Sequence, residues 1–544
     1  MCIMRKIVFI GILFLPLSLS AQQTTFEQFR QQQTDKFNQF SASKQAEFDA
    51  FRRRANEQYA DFMRQAWESF PVHEAEQPKN EKSLPPVVYE ESVPTPTPQP
   101  KPQEGIAQSN PQQDKAKPKS QADTPQPKEE TAPTTPPKQT APQPQVAPKP
   151  APIAVKPQVA VVPTPQPTPE PVAPVQPKEE PCKRVSIGYF GTIITIGFPT
   201  NDNLHLRALK EDAITDAWKQ LSDSRYDITV STALKARKAN VLCDWAYMQV
   251  LQAATEKQYG TTNEAVLMQA FLMTQSGYRI RLGMSDTRLY MLVASLYDIF
   301  HLRYYTLDGT KYYDISGEKN AKIRITKAKY EKEKSLSLQM TQLPLLSNDP
   351  APKRTLTSRK GVTASVCVNK NLIDFFNTYP QACFGGNQTT RWAAYANTPI
   401  EQSVKDMLYP PLRKTISSMT ERDAVGILLN WVQTAFEYGY DDEIWGGDRA
   451  FFAQETLYYP YCDCEDRAIL FSHLVRDLLG LDVVLLYYPG HLATAVAFSE
   501  DVNGDYLTYS NRKYVVCDPT YINAGVGRTM PGMNNQQAQI IALR

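Results

Sequence analysis

Twenty-eight of the 43 prolines in this 544-residue chain lie between Pro85 and Pro181, a stretch with a single glycine, Gly105. Proline fixes φ and supplies no backbone donor, so repeated Thr-Pro, Gln-Pro and Lys-Pro units favour extended, polyproline-like chain without a hydrophobic face. The region 73–181 therefore reads as a disordered Pro-rich linker, and it divides the chain. The portion beyond it, Cys182 to Arg544, is long enough for two compact domains. The formal charge is +2, from 59 basic and 57 acidic residues. That balance creates no positive field of the kind that draws polyanions, so no nucleic-acid partner is expected.

The first 21 residues read as a signal peptide. Arg5 and Lys6 precede an apolar run from Ile7 to Leu17, and Ser18, Ser20 and Ala21 offer a small-residue cleavage site. The run is too short to span a bilayer, and no later stretch is longer, so no integral membrane segment is expected after cleavage. The expected location is periplasmic or secreted. Seven cysteines lie beyond the leader: Cys182, Cys243, Cys367, Cys383, Cys462, Cys464 and Cys517. In an oxidising compartment an odd number leaves at least one thiol outside intramolecular pairs.

Between leader and linker, residues 22–72 carry an internal repeat. Phe26, Phe37, Phe48, Tyr59 and Phe70 recur every 11 residues, and Phe29, Phe40, Phe51 and Phe62 form a second row three residues behind. Eleven residues over three turns keeps each row on one face of a helix. The spacing predicts an amphipathic helical arm from Thr25 to Phe70, stopped by Pro71. Its stripe packs on its own protein, or serves self-association or docking to a partner.

The chemistry-bearing residues lie near the C-terminus. Asp463-Cys464-Glu465-Asp466 opens a helical pattern whose apolar positions, Ala468, Leu470, Leu474, Leu478 and Leu479, end at Gly480. Cys464 then sits in a first turn, where backbone N–H groups and the helix dipole favour thiolate. The neighbouring carboxylates oppose this, so a cationic partner is required. Leu481 to Phe498 reads as strand, Pro-Gly turn and second strand opening with His491, and Lys513 to Cys517 as a further strand before Asp518-Pro519-Thr520. Cysteine, histidine and aspartate in this order suit a triad in which imidazole takes the thiol proton and the carboxylate orients the ring. Other readings stay open: His491 as a core residue, Asp518 as a turn former, a zinc site from Cys462, Cys464, Cys517 and His491, or a Cys462–Cys517 disulfide. His473 reads as solvated or structural, and Gln454, Tyr459 and Trp445 as candidate oxyanion donors.

Residues Trp431 to Tyr521 resemble the transglutaminase-like superfamily of papain-like cysteine enzymes, through Asp463-Cys464-Glu465-Asp466, Gly490-His491 and Asp518-Pro519-Thr520. The resemblance implies Cys464 as nucleophile, His491 as base and Asp518 as orienting carboxylate. It implies action on a protein or peptide amide, by hydrolysis or acyl transfer, with no cofactor and no metal. Cys462 stands where such enzymes often carry glycine.

A related pattern precedes it. Val241 to Trp245 parallels Ile427 to Trp431, and Thr261 to Ser295 aligns without a gap to Cys464 to Phe498. Thr261 then faces Cys464, Arg288 faces His491, and Asp314 lies close to the place of Asp518. A threonine without a neighbouring base is not an activated nucleophile. Lys183 to Pro199 reads as a β-hairpin and Lys319 to Pro352 as a connection.

The expected class is α+β: a transglutaminase-like domain at 346–544 behind an α+β module at 182–345 that is either a degenerate copy of it or a convergent helix-strand-strand pattern. The expected function is an exported cysteine-dependent protease, amidase or acyl transferase. The alternative is a catalytically inactive binding module of the same shape, tethered to a cell-envelope assembly.

Overall fold

Two six-stranded sheets organise the computed structural model, which describes residues 50–79, 83–90, 158–172, 181–316 and 322–544 and a few isolated positions before residue 50. The leader 1–21, the aromatic positions Phe26, Phe29, Phe37, Phe40 and Phe48, and the stretch 91–157 lie outside the described residues. The fold class is mixed α+β.

In chain order, a helix over 50–65 is followed by β1 (Trp67–Pro71) and β2 (Gln158–Ala160). The hairpin β3 (Cys182–Tyr189) and β4 (Thr192–Pro199) turns at Phe190-Gly191, both at positive φ. Helices then run to Asn263–Gln275, which precedes β5 (Ile280–Met284), β6 (Leu289–Ala294), β7 (Tyr297–Ile299), β8 (Tyr304–Leu307), β9 (Thr310–Asp314) and β10 (Lys322–Thr326). Next come the pair β11 (Arg354–Thr357) and β12 (Thr363–Val366), then β13 (Ala382–Phe384), which pairs with β7. The short parallel pair β14 (Glu437–Tyr438) and β15 (Tyr461–Cys462) precedes the helix Cys464–Leu479. Finally come β16 (Asp482–Tyr488), β17 (His491–Ala497), β18 (Tyr506–Tyr509), β19 (Arg512–Cys517) and β20 (Gln539–Ala542).

The strand orders correspond. The first sheet runs β1-β10-β5-β6-β9-β8, and the second, read from its other edge, β2-β20-β16-β17-β19-β18. Register agrees too: Ile280 pairs Val293 in β5–β6 and Val483 pairs Val496 in β16–β17, each residue displaced by 203 positions. Farther on the displacement becomes 202, because Tyr304 pairs Tyr313 where Tyr506 pairs Val515. Pairing of Leu292 with Asp314 and of Ala495 with Val516 therefore puts Asp314 at the place of Val516, and Ser316 at that of Asp518. Asp314 shares a face with the Asp518 position but stands one pleat short of it. The helix of the first half starts at Asn263 behind an extended Thr262 cap, so Thr261 lies outside it, whereas Cys464 is the first helical residue. Arg288 occupies the turn before β6 rather than the strand.

Three expectations about order are corrected. The helical arm ends at residue 65, and Trp67 to Pro71 is a strand, not a continuation. Trp67 is buried and Phe70 packs beside Tyr290 and Ile323, so pairing with the open edge of β10 outcompetes helix propensity. The helix that remains buries Arg52, Asn56, Tyr59, Ala60 and Met63, with Tyr59 stacked on Tyr330 and tilted against Trp218. Of the two aromatic rows, Tyr59 turns inward, and Phe51 and Phe62 face outward at 52% exposure each.

The linker is ordered at both ends. His73 bridges to Tyr304, Glu76 to Phe300 and Val88 to Ile522, and β2 adds a parallel edge to β20. Proline lacks a donor but keeps its carbonyl, as in the 2.8 Å bond from the Gln339 amide to Pro163 O. Gly277, at φ +90°, lets Glu170 O approach to where a Cβ would stand only 2.0 Å away. The region 319–352 likewise is not only a connection, since Lys322–Thr326 completes the first sheet as β10.

Candidate active site

The helix Cys464–Leu479 starts abruptly because Asp463 is extended and its N–H donates to the Asp466 carboxylate, 3.2 Å away. Gly480 ends it in the left-handed conformation that glycine tolerates. This places Cys464 at the first helical position, wholly within the fold at 2% exposure. The β16–β17 hairpin turns at Gly490, pairing Tyr488 with His491, and returns His491 to the start of that helix. Cys464, Glu465, Gly490, His491 and Leu492 line one cleft of about 240 Å³.

Asp518 comes directly after β19. Its Oδ2 lies 2.9 Å from His491 Nε2, and its Oδ1 accepts the N–H groups of Thr520 (2.9 Å) and Tyr521 (3.2 Å). With the carboxylate as acceptor, Nε2 is the donor of this bond. Nδ1 is buried and has no hydrogen-bond partner. The structure thus joins His491 to Asp518 directly, and Cys464 and His491 line the same cavity.

Gln433, unnoticed in the sequence, supports this corner. Its buried side-chain nitrogen lies 3.0, 2.7 and 3.1 Å from the carbonyl oxygens of Asp518, Tyr521 and Ala524, holding the turn that carries the aspartate. Gln388 and Trp392 also line the cleft, from the segment after β13. No local pattern marks these residues; the pairing of β13 with β7 brings them there. The indole Nε1 of Trp392 is buried without an acceptor.

The three proposed oxyanion donors are elsewhere. The Gln454 carbonyl accepts Glu401 N–H, the Tyr459 hydroxyl donates to Asn377 at 3.0 Å, and Trp445 packs on Tyr459 and the Arg449 guanidinium. None of them lines the cleft. His473 is buried, not solvated, and burial holds its pKa down to about 3. All seven cysteines described are free thiols, so Cys462 and Cys517 are not bridged.

The ionisation of the thiol departs from expectation. Burial pushes the Cys464 pKa well up, and the charges of Asp463 and Glu465 push it further. The helix start does not overcome these effects; only an N–H of Leu492 works against them. The sulfur donates instead to Glu465 Oε2, 3.1 Å away. The surrounding carboxylates behave alike: burial and the Glu465 charge raise Asp441 to about 8 and Asp448 to about 6, and Asp463 and Asp466 lie well above the usual range. Among the described residues, two groups bring ligand atoms within 4.8 Å of one another: Asp463 with Cys464 and Glu465, and Asp441 with Asp448 and Glu465. The second is all oxygen, a donor set for a hard cation, with Asp448 already held by Arg391 at 2.5 Å. Neither is the Cys462, Cys464, Cys517 and His491 zinc set considered from the sequence.

Among the described residues no helix is long and apolar enough to cross a membrane. No protein-family model, curated protein or solved structure matches this chain.

Proposed function

We propose that this chain is an exported cysteine-dependent amide-processing enzyme, a protease, amidase or acyl transferase, whose C-terminal half is transglutaminase-like. The observation that carries the proposal is the His491 Nε2 to Asp518 contact of 2.9 Å, with Nδ1 buried and unpartnered and His491 lining the same cavity as Cys464. The thiol turns from Glu465 to His491 Nδ1 and gives up its proton. Its sulfur attacks the amide carbonyl carbon, and the imidazolium returns the proton to the departing amine. Water or a second amine then resolves the thioester. The Cys464 N–H and the Trp392 indole N–H are the donors available to the developing oxyanion. The first half, with Ser316 at the Asp518 position, is a copy of the same fold without the chemistry.

Amine release from a mixed peptide library rich in glutamine and lysine tests the assignment. It is expected to vanish in Cys464→Ala and His491→Ala and to fall at least tenfold in Asp518→Asn. Release that persists in Cys464→Ala removes the assignment. One observation favours the second reading, a binding module that is catalytically idle: the thiol is protonated and engaged by Glu465. That reading predicts no release from any form of the protein.

A further inference from the structure

Two residues of the protein's own N-terminal region stand at the cleft. Lys79 and Ser83 line the same cavity as Cys464 and His491. Lys79 N–H donates to Gln388 Oε1 at 2.5 Å, and Gln388 Nε2 donates back to Gln77 O at 3.2 Å. Ser83 Oγ donates to Asp463 Oδ2 at 2.9 Å, beside the nucleophile position. Leu84 N–H donates to Gly490 O at 3.0 Å, beside His491, and Leu84 O accepts the Tyr438 hydroxyl at 3.1 Å. Farther on, Val87 O and Tyr89 N–H pair with Ile522 at 2.8 Å each, and the Tyr89 ring meets Tyr521 edge-on, just past Asp518.

Gln77 to Lys79 and Ser83 to Tyr89 thus touch the neighbours of all three triad residues. In six of these seven hydrogen bonds the segment contributes its main chain, and three of them are backbone to backbone. Backbone donors and acceptors read an extended chain irrespective of its side chains, the mode by which enzymes and adaptor domains take peptides as an added strand. A covalently attached segment also competes at an effective concentration on the mM scale, so modest contacts suffice to fill a groove. Cys464 and His491 are each 2% exposed.

Resting on the enzyme reading above, we propose that Gln77–Lys79 and Ser83–Tyr89 occupy the substrate groove as an intramolecular pseudosubstrate. The groove's ligand class is then an extended polypeptide backbone, and the attached segment slows access to Cys464 without abolishing turnover.

The test is labelling of Cys464 by iodoacetamide in the full chain, read out by mass spectrometry. The variants are Leu84→Pro, which deletes the N–H given to Gly490, and Tyr89→Ala, which removes the ring contact with Tyr521. Labelling is expected to accelerate at least tenfold in both, with hydrogen exchange of helix 464–479 unchanged. A synthetic peptide of sequence 77–89 added in trans is expected to restore slow labelling. Equal rates in wild type and both variants overturn the proposal. So does acceleration that the peptide fails to reverse, since that marks a structural brace rather than an occupied groove. Reversible fast labelling without amine release upholds the peptide groove and removes the enzyme reading, which separates the two failures.

Discussion

Replacing Gln433 by methionine tests whether the aspartate corner is held by one buried amide. The change conserves chain length and roughly conserves volume, so it leaves no large cavity and isolates the hydrogen bonds. Gln433 is 2% exposed, and its nitrogen faces three carbonyl oxygens at 2.7 to 3.1 Å. An amide nitrogen has two protons, so two of those bonds are full ones shared among three acceptors. Stranding a buried acceptor costs about 1–3 kcal/mol, and relaxation of the 518–524 turn recovers part of it, which gives about 2–4 kcal/mol in total. Urea unfolding is expected to show a lower midpoint at unchanged m-value. Gln433→Glu sharpens the reasoning: an ionised carboxylate offers no proton to the three carbonyls, and the protonated acid offers one. That variant should lose stability as pH rises above about 4.3, the ordinary glutamate value. A Gln433→Met midpoint equivalent to within about 0.5 kcal/mol of wild type would refute the claim that this amide fixes the turn.

Two more outcomes rest on burial and exposure. Asp441 titrates near 8 and Glu455 near 7, both raised mainly by burial, against unfolded values of about 3.9 and 4.3. The folded state therefore binds more protons between those limits, and its stability is fullest at low pH and lost as pH rises through the folded values. His473, depressed to about 3, opposes this below about pH 6.5, so the thermal midpoint should fall cleanly from pH 6.5 to 8.5. Asp441→Asn, which keeps an acceptor for the Arg449 N–H, should flatten that fall, and a midpoint that rises over the interval contradicts the argument. The self-association expected of the aromatic rows rests on Phe51 and Phe62, half-exposed on the outer face of helix 50–65. Replacing both by alanine should leave the thermal midpoint nearly unchanged and lower the sedimentation coefficient of the full chain; identical sedimentation rules out association through these two rings.

The features legible along the chain were local. The Asp463-to-Asp466 start, the Gly480 stop, the Pro-Gly turn before His491 and the strand ending at Cys517 each depend on residues within one turn or one pleat of each other, and the helix and strands lie where those signals put them. The order of Cys464, His491 and Asp518 was therefore visible, as was the spacing that relates the two sheets. Helix propensity likewise gave the arm over 50–65, but not its end, because the edge of β10 lies some 250 residues away and captures Trp67 to Pro71.

The remaining features belong to the tertiary structure for the same reason. Gln388, Trp392 and Gln433 carry no motif and gain meaning only when β13 pairs with β7 and the Asp518 turn settles on the preceding helix. Val87 and Tyr89 look like any linker residues until Ile522 offers them a backbone partner. The Cys464 thiol is the clearest case: sequence supplies the helix start that favours thiolate, but desolvation and the charges of Asp463 and Glu465 prevail. Composition fixes which groups a chain carries, whereas burial and distance, which fix the free energy of a charge, exist only after the chain has folded.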